Sequence, residues 1–420
     1  MAKKRLIIVG NSTAGLSALE AIHQTGFDHE VVVISQESYP SYSPTVLPHL
    51  LAGEIAEKDL FMHGEPFYAA RNASLMLGKR VVRIRPDKSK ITLEDGQELA
   101  FDELLVAVGA SPAIPPLKGL DSERALALRT LDDAKKLMAS AQGKRRAVIL
   151  GAGLIGLQSV LGLRGMGLET TVVEKKEQIL PLYLEPEPAE TIRKSYEARG
   201  VTFFLGATIE QVEEGGKRIL LSSGEELKAD LLLIAIGVHP RLNLLEGSDI
   251  EVDEGILVKE SMETNYSHIY AAGDVAQAKD FFTDRPVLNP IMPSAAEQGK
   301  VAGLNMAGIK ERYEGTLSMN ILSYFGNIAF FIGSVFGAED GYESYVKRFL
   351  GEESYQNLIF RGDQLVGAVV INQKVDPGIV YSLIKNRTVL THREKAEVNT
   401  RPLAKSRRLF LRSEEEAKHI

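Results

Sequence analysis

The chain has 420 residues, 44% of them hydrophobic and 25% charged, an ordinary globular composition with material for two or three domains. Its formal net charge of −7 gives no basic footprint for nucleic acid, and its apolar runs are strand-sized, too short to span a membrane. Cysteine is absent, which within these residues excludes a disulfide, a thiolate nucleophile and a cysteine-held iron–sulfur cluster.

The opening "MAKKRLIIVG" sets a basic start before a short apolar run. That run leads straight into a glycine loop, so it reads as a first strand rather than a signal peptide, and a cytoplasmic protein is expected. The loop "GNSTAG" carries Gly10 and Gly15 at the first and third places of a GxGxxG pattern, with Ser12 at the middle one. In such a loop the first glycine permits the tight turn and the second lets a pyrophosphate approach the backbone. The third lets the helix pack on the strand, and the helix N-terminus faces the anion. Serine is small and its hydroxyl is a donor to a phosphate oxygen, although its Cβ costs some approach distance. The flanking helix "LSALEAI" and strand "EVVVISQE" are intact, so the loop reads as working, with Ser35, Gln36 and Glu37 competing for a ribose.

Further along, "FDELLVAVGASPAIPPLKG" is a strand that runs into a Gly/Pro-rich crossing. Then "RRAVILGAGLIGLQSVLGL" supplies Gly151, Gly153 and Gly156 with every glycine in place, and the next strand, "ETTVVE", ends in Glu174. A carboxylate about 20 residues past the loop suits a ribose hydroxyl pair and repels a 2′-phosphate, which favours NADH over NADPH. Lys175 and Lys176 pull the other way. "ADLLLIAIGVHPRLNLL" repeats the earlier crossing, "IYAAGDVAQ" ends a strand at Gly273 and Asp274, and "PSAAEQGKVAGLNMAG" reads as a helix whose N-terminus carries Glu297, Gln298 and Gly299. Two such units amount to an internal duplication, and a chain that holds two dinucleotides is expected to pass a hydride between them.

The order of these five motifs resembles the two-dinucleotide flavoprotein family of rubredoxin and ferredoxin reductases, NADH oxidases and pyridine nucleotide–disulfide reductases. The resemblance implies an α/β fold with two Rossmann-like domains. A discontinuous FAD domain would span 1–113 and 243–313, with an NAD(H) domain inserted at 114–242. A small α+β interface domain would follow at 314–392, and then a charged tail at 393–420, read either as a solvated end or as a docking arm. It implies that Gly10, Ser12, Ala14 and Gly15 hold FAD pyrophosphate, with Ala107 and Gly109 beside them. Glu37 would take the adenosine ribose and Asp274 the ribityl chain. The helix at Glu297 and Gln298 would aim its dipole at the flavin N1/O2 edge. For NAD it implies Gly151, Gly153, Leu154, Ile155, Gly156, Gln158, Glu174 and Gly237.

Where relatives carry a redox cysteine, this chain has Tyr42, Ser43, Pro44 and Thr45. Leu47, Pro48 and His49 would lie near the flavin ring, with His49 either a packed side chain or a proton relay. Leu154 stands where relatives often have an aromatic gate, Gln158 where they have Glu, and His239 and Arg241 where they have Arg and Asn.

Taken whole, the chain resembles flavoprotein subunits of multisubunit 2-oxoacid:acceptor oxidoreductases of the phenylglyoxylate type. The implied function is passage of electrons between an iron–sulfur partner subunit and NAD through FAD, within a hetero-oligomeric complex. A free-standing NADH:rubredoxin or ferredoxin reductase is the first alternative, and a redox-inactive flavin-binding assembly subunit is another. An oxygen-reducing oxidase is disfavoured by the missing cysteine.

Overall fold

A computed structural model describes residues 3–121, 125–335, 341–349 and 353–395. Two compact units divide the chain: Met1–Val46, Ile55–Ser111 and Val238–Leu317 form the first, and Leu47–Glu54, Pro112–Gly237 and the chain from Ser318 form the second. The α/β class is as expected.

In the first unit a five-stranded sheet runs Ile269–Ala271, Glu103–Val106, Arg5–Val9, Glu30–Ile34, Ala73–Met76, every pair parallel. The strands are buried on both faces, which is why they read as near-continuous Val, Ile and Leu runs rather than alternating ones. The second unit repeats the plan in the order Thr202–Leu205, Glu169–Glu174, Arg146–Leu150, Leu231–Ile234, again all parallel. In both, the first strand lies inside the sheet and the order reverses beside it, which opens a crevice at its carboxyl end. The duplication extends to single hydrogen bonds. Gly10 N–H donates to Ile34 O and Ala107 N–H to Val9 O; Gly151 N–H donates to Val173 O and Ala235 N–H to Leu150 O, all at 2.8 Å.

The first unit is closed by helix Met292–Met306, which lies on helix Thr13–Gln24. Side chains are absent from the contact line: a Cβ on Gly299 would sit 2.1 Å from Ala14 O, and one on Gly303 would sit 2.5 Å from Ala18 O. Small residues four apart on both helices let the two backbones touch. Pro293, at the start of the helix, sets its beginning at Met292, so Glu297 and Gln298 stand in the second turn and not at the N-terminus as the sequence suggested.

Packing draws the domain borders differently from the sequence reading. Helix Leu47–Leu51 sits in the second unit, on helix Leu154–Gly165, where Gly162 leaves room for Leu51 and for Pro48 O. The C-terminal sheet (order Met319–Tyr324, Asn327–Gly333, Gln364–Ile371, Tyr355–Arg361, Tyr342–Arg348) also belongs to the second unit. One face packs on helix Pro186–Glu197 through Tyr324 stacked on Tyr196, with Arg348 paired to Glu187. Phe330 and Phe331 are core, and Gly362 and Asp363 turn the chain between strands Tyr355–Arg361 and Gln364–Ile371. Lys395 buries its stem there and reaches Gly362 O and Asp363. The tail expected at 393–420 lies outside the described residues from 396 on.

Two stability measurements follow. Gly299→Ala forces the two helix backbones apart and is expected to cost roughly 1–3 kcal/mol despite the better helix propensity of Ala, read as a lower thermal midpoint. His29 is buried in the first unit and neither ring nitrogen has a partner among the described residues. Burial, and then the nearby Lys4 charge, lower its pKa from the ordinary 6.5. The unfolded chain therefore binds the proton more readily, and stability present above pH 6.5 is lost as pH falls below it. Urea midpoints between pH 7.5 and 5 are expected to fall less for His29→Leu than for the unaltered chain.

Candidate functional site: two dinucleotide cradles

Gly10 (φ +128°) and Gly151 (φ +110°) adopt a conformation closed to residues with a side chain. Space also forbids one: a Cβ would lie 2.1 Å from Ala107 O at Gly10, and 2.4 Å from Ala235 O at Gly151. The third glycines are equally tight, since a Cβ on Gly15 or Gly156 would meet the carbonyl of Gly10 or Gly151 at 2.0 Å. The middle place differs. Gly153 has φ −76°, ψ −174° and Ser12 has φ −120°, ψ −164°, both extended backbone open to any L-residue. A Cβ on Gly153 would meet nothing within 4 Å among the described residues. Serine at the middle place therefore leaves the loop's backbone intact.

Each cradle sits at the start of a 12-residue helix, Thr13–Gln24 or Leu154–Gly165, whose first N–H groups and dipole favour an anion. Among the residues expected at the first cradle, Ala14 and Gly15 open the helix. Ala107 backs Gly10 with its carbonyl, and Gly109 (φ +69°) turns the chain just beyond. Glu37 follows its strand closely and accepts from Tyr42 O–H at 2.5 Å; Ser35 is buried, its hydroxyl accepting Glu37 N–H, while Gln36 is exposed. A Cβ on Gly273 would lie 3.3 Å from that of Ala14, so the Gly273–Val275 turn, with Asp274, stands beside the loop. Gln298 is buried and spends its Oε1 on Gly273 N–H at 2.8 Å, so it braces the Asp274 turn from inside. Glu297 is half-buried beside it.

At the second cradle Glu174 grips the loop itself. Ala152 N–H donates to its Oε2 at 2.8 Å and Lys176 N–H to its Oε1 at 2.9 Å. Leu154 and Gln158 are half-buried on the first turns of the helix, Ile155 is exposed, and Gly237 (φ +126°) turns the chain away after Ala235.

His49 lies on helix Leu47–Leu51, exposed, with Nδ1 2.6 Å from Glu54 Oε2. Its imidazole is thus an exposed partner of Glu54 in the second unit. In the segment that replaces the redox cysteine, the Ser43 and Thr45 hydroxyls meet at 2.7 Å, and Ser43 O–H donates to Met292 Sδ at 3.7 Å.

Two contributors escaped the sequence reading, and a third, Arg241, was singled out there without a structural role. Ala235 was legible from the repeat "LLVAVG" and "LLIAIG", whose register pairs it with Ala107. Tyr68, buried, donates to Asn11 Oδ1 at 2.6 Å and so fixes the residue before Ser12. Arg241 braces the backbone. Its own N–H donates to Gly109 O, its Nε to Ser111 Oγ and its Nη1 to Val108 O, tying the returning strand to the departing one.

The cradles fit the groups that the sequence implies. The glycines that face carbonyls are the ones that must be glycine, the middle places stay open, and Asn11 Nδ2 is a buried donor without a partner among the described residues. No cluster of three or more metal-ligating side chains occurs among the described residues, and no helix there is long and apolar enough to cross a membrane.

Two parallel sheets of the same order, each with its glycine cradle at the switch point, define a two-dinucleotide Rossmann protein. The family model for "Pyridine nucleotide-disulphide oxidoreductase" matches residues 4–314. The chain is 36% identical over 394 residues to the NADH-dependent phenylglyoxylate dehydrogenase subunit epsilon of Aromatoleum evansii, covering 92% of this chain and 93% of that protein. It is 33% identical over 319 residues to an NADH oxidase of Methanocaldococcus jannaschii, covering 74% and 71%. Its fold matches a solved putidaredoxin reductase–putidaredoxin complex with a TM-score of 0.87 at 22% identity, over 99% of this chain and 100% of that one. The chain belongs to the pyridine nucleotide-disulphide oxidoreductase family. It is an oxidoreductase of a family that works with FAD and NAD(H), although it has no cysteine for disulphide chemistry.

Glu174→Ala removes both backbone anchors of the loop and the carboxylate that the sequence reading sets against a ribose. It is expected to raise the NADH dissociation constant about tenfold or more and to narrow the preference over NADPH, measured by titration with each nucleotide.

Proposed function

We propose that this chain is the NAD(H)-linked flavoprotein subunit of a 2-oxoacid:acceptor oxidoreductase complex, passing electrons between an iron–sulfur partner and NAD through FAD. The likeness along more than nine-tenths of both chains to a subunit of an NADH-dependent phenylglyoxylate dehydrogenase carries this reading. The composition agrees with it: the chain has no thiol and cannot hold its own cysteine-ligated cluster, so its electron partner is a separate protein or subunit.

FAD supplies hydride exchange with nicotinamide C4 and single-electron exchange with the partner. The residues of the chain bind and orient. The first cradle, with Ser12 at its middle and the Asp274 turn at its side, holds FAD. The second would hold NAD(H), its Ala152–Gly153 turn set by Glu174, with Leu154 and Gln158 half-buried on the first turns of the following helix. Ser43 and Thr45 stand in the place of a thiol and offer no nucleophile, so disulfide and cysteine-dependent oxygen chemistry have no residue to run on.

Anaerobic titration of the purified chain is expected to bleach bound flavin with one equivalent of NADH and with a large excess of NADPH only. Aerobic NADH consumption by the isolated chain is expected to stay slow, and the native protein is expected to co-purify with iron–sulfur subunits. Flavin that NADH does not bleach would overturn the electron-transfer reading in favour of an assembly subunit. A lone protein that rapidly reduces a soluble rubredoxin would overturn the complex.

A further inference from the structure

We infer that Tyr313 is a positioning residue for the turn that carries Asp274: its buried phenol orients the Gln298 amide, and that amide holds Gly273 N–H. This rests on the reading of the first cradle as the FAD site.

Four polar side chains are buried together near the start of helix Met292–Met306. Ser294 and Gln298 lie one turn apart, on one face of the helix. Tyr313 and Thr316 come from the segment that follows it, and all four are buried. The Tyr313 hydroxyl and Thr316 Oγ1 meet at 2.8 Å, and the side chains of Gln298 and Ser294 also hydrogen-bond that phenol. Backbone bonds fix both members of the pair. Tyr313 N–H donates to Glu260 O at 2.7 Å, Thr316 N–H to Lys279 O at 2.8 Å, and Thr316 O accepts Phe281 N–H at 3.1 Å. Apolar side chains of the same size would fill this space without needing partners, whereas a satisfied polar cluster fixes one arrangement.

Donors and acceptors give that arrangement a direction. Gly273 N–H can only donate, so the Gln298 atom that meets it at 2.8 Å is Oε1, and Nε2 must donate elsewhere. The Tyr313 oxygen accepts it. Burial holds the phenol above its ordinary range, with the hydrogen bonds of Thr316, Gln298 and Ser294 acting the other way, so the oxygen keeps its proton and donates on to Thr316 Oγ1. The bonds thus run from Gly273 through Gln298 and Tyr313 to Thr316. Gly273 has φ +78° and begins the Asp274 turn; its N–H meets this side chain, where Ala272 N–H still meets the neighbouring strand at Val106 O. Loss of the phenol oxygen frees Nε2, and an amide free to turn no longer holds Gly273.

The test is FAD binding by the full chain, stripped of flavin and reconstituted, with the visible absorption of the bound flavin as a second readout. Tyr313→Phe is expected to raise the FAD dissociation constant about tenfold and to shift the flavin bands. Thr316→Val removes only the far partner of the phenol. It is expected to lower the thermal midpoint while FAD binding stays within about threefold and the flavin bands stay in place. Gln298→Leu is expected to show the loss of about tenfold by itself, and adding Tyr313→Phe to it is expected to change FAD binding less than about twofold further. Unchanged FAD binding and flavin bands in Tyr313→Phe, or a loss as large in the Gln298→Leu chain as in the unaltered one, overturns the inference and leaves the FAD site standing. Normal FAD binding by Gln298→Leu overturns it even where Tyr313→Phe does not fold. An unaltered chain that binds no FAD overturns both.

Discussion

Ala14 is where the first unit is held together. Gly299 lies on its carbonyl, Gly273 on its methyl group, and its own helix starts from the cradle. The contact works because glycines facing an alanine leave no side chain between backbones. A methyl group at Gly299 would close the gap to 2.1 Å. The Asp274 turn is registered against the loop at that point, and Gln298 joins it through its bond to Gly273. Overpacking at such a place is costly because interiors are already close-packed.

The two cradles share a skeleton and differ in how it is finished. Both press the first glycine against the carbonyl of an alanine after the fourth strand, and the third glycine against the first. The second cradle then fastens its turn with a carboxylate from the neighbouring strand, Glu174 on Ala152. The first fastens its turn with a phenol, Tyr68 on Asn11, and leaves hydroxyl and amide donors at the place where the second has none. Duplication preserved what the backbone demands and left side chains to diverge where the backbone is indifferent.

Those same distinctions govern what could be read from the sequence. Both sheets, both loops, the crossing strands and the Gly273–Asp274 turn were legible because strand runs, glycine places and the "LLVAVG"/"LLIAIG" repeat are local patterns. The affiliation of helix Leu47–Leu51 was not, since a five-residue apolar stretch carries no signal of which distant helix will pack on it. Helix Met292–Met306 was read from Pro293 on, but Glu297 and Gln298 were set at its N-terminus although they follow by a full turn. Tyr68 and Arg241 act across 57 and 133 residues of chain, and nothing near either in sequence announces the partner.

The split construction of the first unit also bears on how the protein is made. All four strands of the second sheet lie between Arg146 and Ile234, an uninterrupted stretch that can close on itself. The first sheet has four of its strands by Val106 but lacks its edge strand until Ile269–Ala271 and its covering helix until Met306. A chain emerging from its N-terminus therefore completes the downstream cradle while the upstream one still waits for its backing. Of the two cradles the first is thus the later to gain its full backing.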